Sequence, residues 1–177
     1  LYRELAERLA DWEDRQSELI ALLEDLRSQG VKVTPMNDKD TDGRRFLLQE
    51  IDPFTFYGTF NRQIRDQERL AILSEVKKLL GAEAPLPVDF KGIPVVNSWF
   101  ISNQHRRGAN DVGKLWRIFR LALEETPLAN QEFAAAFDDA LKVRGVATNL
   151  TMGLFWIRPG TFMNLDATNR SYLNIRL

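Results

Sequence analysis

The chain has 177 residues, of which 44% are hydrophobic, enough for one continuous core and a single domain. Its 24 Lys and Arg stand against 25 Asp and Glu, which excludes a general attraction to polyanions or membranes and leaves any nucleic-acid surface to a local patch. Cysteine is absent, which excludes disulfides, thiolate metal sites and a cysteine nucleophile and suits a reducing, cytoplasmic setting; no apolar run approaches the roughly 20 residues of a membrane helix.

Leu5, Leu9, Trp12, Leu19, Leu23 and Leu26 recur at helical spacing, which predicts one long amphipathic helix over residues 2 to 28, ended by Gly30. Up to Asp25 it carries eight acids and three arginines, a poor surface for phosphates. Val31 to Thr34 and Arg45 to Ile51 read as short strands of a hairpin around the turn-rich Asn37 to Gly43. Phe54 to Phe60 form an aromatic run in which Phe56 and Phe60 are core candidates. Leu70, Leu73, Val76 and Leu80 mark a helix with Asp66 as its cap and Gly81 as its stop. Residues 82 to 98, with three prolines, predict an ordered loop with at most a short strand at Ile93 to Val96. Two helices follow, over Asp111 to Glu125 and Asn130 to Arg144, and two short ones are expected around Pro159 within Thr148 to Leu173. The expected fold is therefore α+β and helix-dominated: a long N-terminal helix, a small hairpin or sheet, and a cluster of four to six helices.

Three motifs stop short of chemistry. Gly108-Ala109-Asn110-Asp111-Val112-Gly113-Lys114-Leu115 follows a phosphate loop up to its last position, where Leu115 cannot offer the hydroxyl that holds magnesium. Asp38, Asp40, Asp42 and Gly43 match the first half of a calcium loop, but the twelfth position is Gln49 and not a bidentate carboxylate. His105 is the single histidine, so His-based relays and metal clusters lack their other members.

The stretch from Ser98 to Arg120 is more informative. It holds Arg106, Arg107, Lys114, Arg117 and Arg120 against the one acid Asp111, interleaved with Trp99, Phe100, Trp116 and Phe119. Guanidinium groups beside aromatic planes suit phosphates and unstacked bases, although Trp116 and Phe119 sit at core spacing. Along a helical path Tyr57 and Asn61 fall on one side, and with Arg62 they form a polar-tipped group able to stack on a base, bond its edge and hold a phosphate. The other reading is that Asn61 and Arg62 satisfy buried carbonyls.

The phrases Val33-Thr34-Pro35-Met36, Glu50-Ile51-Asp52-Pro53-Phe54-Thr55-Phe56-Tyr57-Gly58-Thr59-Phe60-Asn61-Arg62, Pro87-Val88-Asp89-Phe90-Lys91-Gly92-Ile93-Pro94-Val95, Asn149 to Pro159, Asn164-Leu165-Asp166 and Asn169-Arg170 together resemble the region ahead of the motor in one branch of McrB-type AAA+ restriction proteins. The resemblance implies a DNA-recognition domain, with a modified base such as modified cytosine as its expected target, within a phage-defence restriction system. It places GTP and magnesium only in a motor expected beyond residue 177, cleavage in an McrC-type nuclease partner, and no cofactor, enzymatic activity or membrane partner in residues 1 to 177. The candidate DNA contacts are Tyr57, Asn61, Arg62, Trp99, Arg106, Arg107, Lys114, Arg117, Arg158 and Arg170. Two alternatives stand beside this. Leu165 to Leu173 resembles the segment holding the catalytic aspartate of helix-hairpin-helix DNA glycosylases, with Asp166 in that place, though Asp166 can equally cap a short helix. The acidic N-terminal helix could instead serve a protein-interaction module of a defence complex.

Overall fold

Helix formation here follows the apolar spacing closely, but two breaks in propensity reshape it. The computed structural model describes residues 1–147 and 149–175. Its α-helices are α1 (Tyr2–Leu9), α2 (Gln16–Ser28), α3 (Pro53–Gly58), α4 (Asp66–Leu80), α5 (Asp111–Leu123), α6 (Gln131–Leu141), α7 (Asn149–Ile157) and α8 (Ala167–Leu173). Beside them lies a two-stranded antiparallel sheet of β1 (Asn37–Lys39) and β2 (Arg45–Leu47), so the fold is α+β and dominated by helices. Among the described residues no helix is long and apolar enough to cross a membrane.

The long helix expected over residues 2 to 28 is corrected to two. Trp12 and Arg15 leave the helical region, and a 3₁₀ turn at Glu13–Arg15 joins α1 to α2. The break lets the Trp12 indole turn inward while the Arg15 guanidinium lies 3.7 Å above its ring. It also frees Gln16 to accept a hydrogen bond from the Ile51 backbone N–H at 2.7 Å, which ties the start of α2 to the segment before α3. The first strand is also corrected: Val31 to Thr34 form no strand, and the residues expected as turn, Asn37 to Lys39, pair with Arg45 to Leu47. No strand forms at Ile93 to Val96; the Val96 N–H instead bonds the Asn61 carbonyl at 2.9 Å. Gly81 ends α4 in the left-handed conformation as expected, but Arg65 and not Asp66 occupies its N-cap. Two short helices, α7 and α8, flank Pro159; Thr148, where that stretch was expected to begin, lies outside the described residues.

The aromatic run is the centre of the molecule. Every residue of α3 is buried, because Asp52 receives the N–H groups of Phe54 and Thr55 and starts a helix in the interior. Phe56 and Phe60 are both core residues, as expected. The Phe54 ring stacks on Phe100 and meets Phe119 edge-on, each at 5.6 Å between centroids. Helix α7 approaches α3 over Gly153, where a Cβ would come 2.5 Å from the Phe54 ring, so only glycine admits this contact.

Asp52 carries a pH signature. Burial pushes its carboxyl up from 3.8 to about 6, against the lowering effect of the hydrogen bonds from Thr55 and Phe54. Its second oxygen has no partner among the described residues. Between those two pH values the unfolded chain has lost this proton and the native chain keeps it, so the stability it contributes is complete below 3.8 and falls as pH rises through 6. We expect Asp52→Asn to remove a stability loss of about 3 kcal/mol over that window, read as the difference between urea titrations of the two proteins at pH 4 and pH 7. Parallel profiles would rule out the buried acid.

Candidate nucleic-acid interface

The hairpin carries its charge in an unusual arrangement. Asp40 builds the turn: its Oδ1 accepts the N–H groups of Asp42 at 2.9 Å and Arg44 at 2.8 Å, and Gly43 supplies the positive φ of 78°. Asp38 points inward, with Oδ1 accepting from the Lys39 and Gln104 amides and Oδ2 from the Arg107 guanidinium. The aspartates of the calcium-like phrase are therefore directed to different tasks and do not converge on one ion. What remains outward is mostly basic, with Asp42 the exposed acid of the turn. Lys39 and Arg45 are direct cross-strand partners, a like-charge opposition that costs stability unless an anion lies across it.

The 3₁₀ turn Gln104–Arg106 packs beside β1. His105 Nδ1 lies 3.2 Å from the Lys39 carbonyl, and His105 Nε2 accepts from Arg106 Nε at 3.2 Å. These contacts assign the proton to Nδ1 and make the ring a spacer that holds Arg106 next to the hairpin.

Two adjoining clefts extend the basic edge. One, of about 320 Å³, is lined by Lys32, Thr34, Pro35, Arg62, Gln63 and Asn97 among others, and no carboxylate lines it. The other, of about 230 Å³, shares Pro35 and continues past Asn37, Lys39 and Arg45, with Asp38, paired to Arg107, also in its wall. Arg62 donates to the Asn97 carbonyl at 2.9 Å, and burial lowers its pKa. Lys32, Arg62, Lys39 and Arg45 thus line the two clefts, Arg106 lies beside the hairpin and Arg44 is exposed in its turn; among the described residues none of the six is ion-paired.

The sequence matches the family described as "Domain of unknown function (DUF8425)" over residues 1–176. The chain belongs to that family. No curated protein and no solved structure matches it.

Across this DUF8425 domain the predicted site residues separate. The basic stretch from Ser98 to Arg120 does not act as one patch. Arg107 is drawn into the ion pair with Asp38, donates to the Ser102 carbonyl at 3.0 Å and lies 3.6 Å from Glu50, so its expected role as a free phosphate contact is corrected. Lys114 pairs with Asp111 at 2.9 Å and Arg120 pairs with Glu13. Arg117 is exposed on α5, where Lys142 and then Arg117 and Lys114 hold the Asp139 carboxyl below its usual range. Trp116 and Phe119 are core, and Trp99 is half-buried against it.

Tyr57 and Asn61 are fully buried, which corrects their placement on a polar-tipped surface. The Tyr57 hydroxyl donates to the Tyr2 carbonyl at 2.8 Å; the Asn61 side-chain oxygen accepts from Tyr2 Oη at 2.6 Å and Arg69 Nη2 at 3.0 Å. Burial pushes Tyr2 up to about 12. Arg158 donates to the Ala122 and Glu124 carbonyls and so closes the C-terminal end of α5. Arg170 is half-buried, with no partner for Nε among the described residues. Asp166 caps α8, taking the Asn169 N–H at 2.8 Å on one oxygen and Asn164 Nδ2 at 3.1 Å on the other.

The phosphate-loop phrase forms a turn that starts α5. Asp111 accepts the Gly108 N–H at 2.7 Å and holds the Lys114 ammonium, and the cleft there is lined by Glu13, Glu50 and Asp111 with only Arg107 opposite. The lysine that the phrase would offer to a triphosphate is thus already paired with Asp111.

Sequence reasoning missed Lys32, Lys39, Arg44 and Arg45. Their charge is cancelled on paper by Asp38, Asp40 and Asp42. Only the hydrogen bonds reveal that Asp38 and Asp40 are consumed internally.

Proposed function

We propose that this domain binds DNA through the edge formed by Lys32, Arg62, Lys39, Arg44, Arg45 and Arg106. In this reading it is the recognition part of a cytoplasmic McrB-type restriction assembly, with nucleotide hydrolysis and an McrC-type nuclease supplied outside residues 1 to 177. The observation that carries it is the concentration of cations outside any ion pair around two adjoining clefts, one of them without a carboxylate in its wall, in a protein with net charge −1. Cations left without acidic partners release counterions from phosphates, whereas an arginine already paired, like Arg107 or Arg120, adds little. The McrB-like phrases supply the choice of DNA and of a modified base, because phosphate contacts alone position a duplex without reading it.

The test is fluorescence anisotropy on unmodified and cytosine-methylated duplexes at several salt concentrations. We expect Arg44→Ala, Arg45→Ala and Arg106→Ala combined to weaken binding alike for all duplexes and to lower the salt slope by up to about three, one per lost phosphate contact. An unchanged slope would remove this edge from the interface.

A further inference from the structure

A cavity of about 380 Å³ opens between the 3₁₀ turn Pro127–Ala129, α6, α7 and the segment before α8, and none of its lining residues belongs to the basic edge. Its interior is aromatic and aliphatic. Phe133 lies nearly parallel to Phe162, with centroids 5.4 Å apart and planes 23° apart, and Phe137 stands 6.2 Å from Phe133. Leu154 closes the inner side. A volume at the lower end of the range of small-molecule pockets, with mostly apolar walls and few polar groups, suits a compact organic ligand.

The charged residue at this cavity is Asp138, an exposed carboxylate with no ion pair among the described residues; Thr151, whose hydroxyl accepts the Leu165 N–H, also lines it. The neighbouring charge is mixed: Asp139 is ion-paired with Lys142, whose ammonium also feels Asp138, so the carboxylate left to the cavity is that of Asp138 itself. Phenylalanine rings favour a cation near their faces, and a carboxylate at the same mouth adds to that preference. The apolar rim consists of Leu128, 68% exposed, and Met163, 58% exposed. Two side chains make a patch well short of the several hundred Å² that mark a protein partner, which favours a small ligand.

We propose that this cavity binds a small amine: an aromatic or branched aliphatic body held between Phe133, Phe137, Phe162 and Leu154, with its protonated nitrogen at Asp138. This gives the domain a ligand site separate from the basic edge, and one that selects the opposite charge.

The test compares two probes with the same body, 4-phenylbutylamine and 4-phenylbutyrate, titrated into the whole chain while the methyl resonances of its three methionines are followed. The amine should shift the Met163 methyl saturably and bind at least about tenfold more tightly than the acid. Asp138→Asn, at an exposed position, should bring the two probes to within about threefold of each other. Ala134→Phe places a ring into the cavity from the exposed side of α6 and should abolish the Met163 shift for both probes while thermal unfolding stays unchanged. Equal affinities in the unaltered protein, no saturable shift with the amine, or selectivity that survives Asp138→Asn would each overturn the proposal. None of these outcomes depends on whether the basic edge binds DNA.

Discussion

Arg107→Ala is expected to cost about 3–5 kcal/mol of folding stability, whereas Arg106→Ala, one residue away, should cost within about 0.5 kcal/mol. The difference follows from what each guanidinium faces. Arg107 is 9% exposed and pairs with Asp38, which is 2% exposed, so removing the cation leaves a carboxylate buried with only the Lys39 and Gln104 amides to stabilise it. Uncompensated burial of that kind is far more costly than the loss of a surface contact. Because Asp38 belongs to β1 and Gln104 to the adjoining turn, the same change should loosen the hairpin from its support and displace the proposed DNA-binding edge as a unit. Urea denaturation of the two single variants checks the stability difference. Anisotropy at matched fraction folded checks the second effect: Arg106→Ala should lower the salt slope by about one. If Arg107→Ala left stability within about 1 kcal/mol of the unaltered protein and lowered the slope as Arg106→Ala does, Arg107 would be a surface contact and the ion pair would carry no structural weight.

The contrast between these neighbours shows how far the chain could be read in advance. Apolar periodicity placed α4, α5 and α6 within a few residues, and the end of α2, because each buries a stripe that repeats at helical spacing. It failed at Trp12, where the spacing of three, four and seven continues across a break: an indole at a helix end buries as well as one in a continuous helix, so periodicity alone cannot see the interruption. It also failed at Asn37 to Lys39, whose composition signals a turn but whose pairing with Arg45 to Leu47 is imposed by tertiary hydrogen bonds of Asp38 to Gln104 and Arg107. Local charge counting misplaced the boundaries of the basic surface. Counting from Ser98 to Arg120 treats every cation as free, yet Arg107, Lys114 and Arg120 are neutralised by Asp38, Asp111 and Glu13. Two of those three acids lie more than sixty residues away along the chain, beyond any local window. Arg106 alone of that stretch joins the edge, together with hairpin cations that the neighbouring aspartates had concealed.

Tyr57→Ala is expected to destabilise the domain by about 3–5 kcal/mol and Asn61→Ala by about 2–3 kcal/mol, with DNA affinity and discrimination unchanged at temperatures where both variants are folded. Tyr57 is enclosed by Phe60 at 5.1 Å, Tyr2 at 6.1 Å and Phe119 at 6.2 Å between ring centroids, so truncation opens a cavity in the centre of the core. Asn61 works through polarity. Arg69 is a buried guanidinium with no ion-paired carboxylate among the described residues; it is stabilised by the Phe60 carbonyl at 2.8 Å, the Asn61 side chain at 3.0 Å and the Phe90 ring 3.7 Å below it. Removing Asn61 takes one of those three supports from a buried charge and leaves the Tyr2 hydroxyl without its acceptor. Tyr57→Phe separates packing from hydrogen bonding: it keeps the ring, loses only the bond to the Tyr2 carbonyl, and should cost about 1 kcal/mol. Melting temperature and affinity for methylated and unmodified duplexes, measured on all three variants, decide the matter. Lost discrimination with an unchanged melting temperature would mean that this buried group opens to meet a base, and the recognition surface would then have to include α3 rather than end at Arg62.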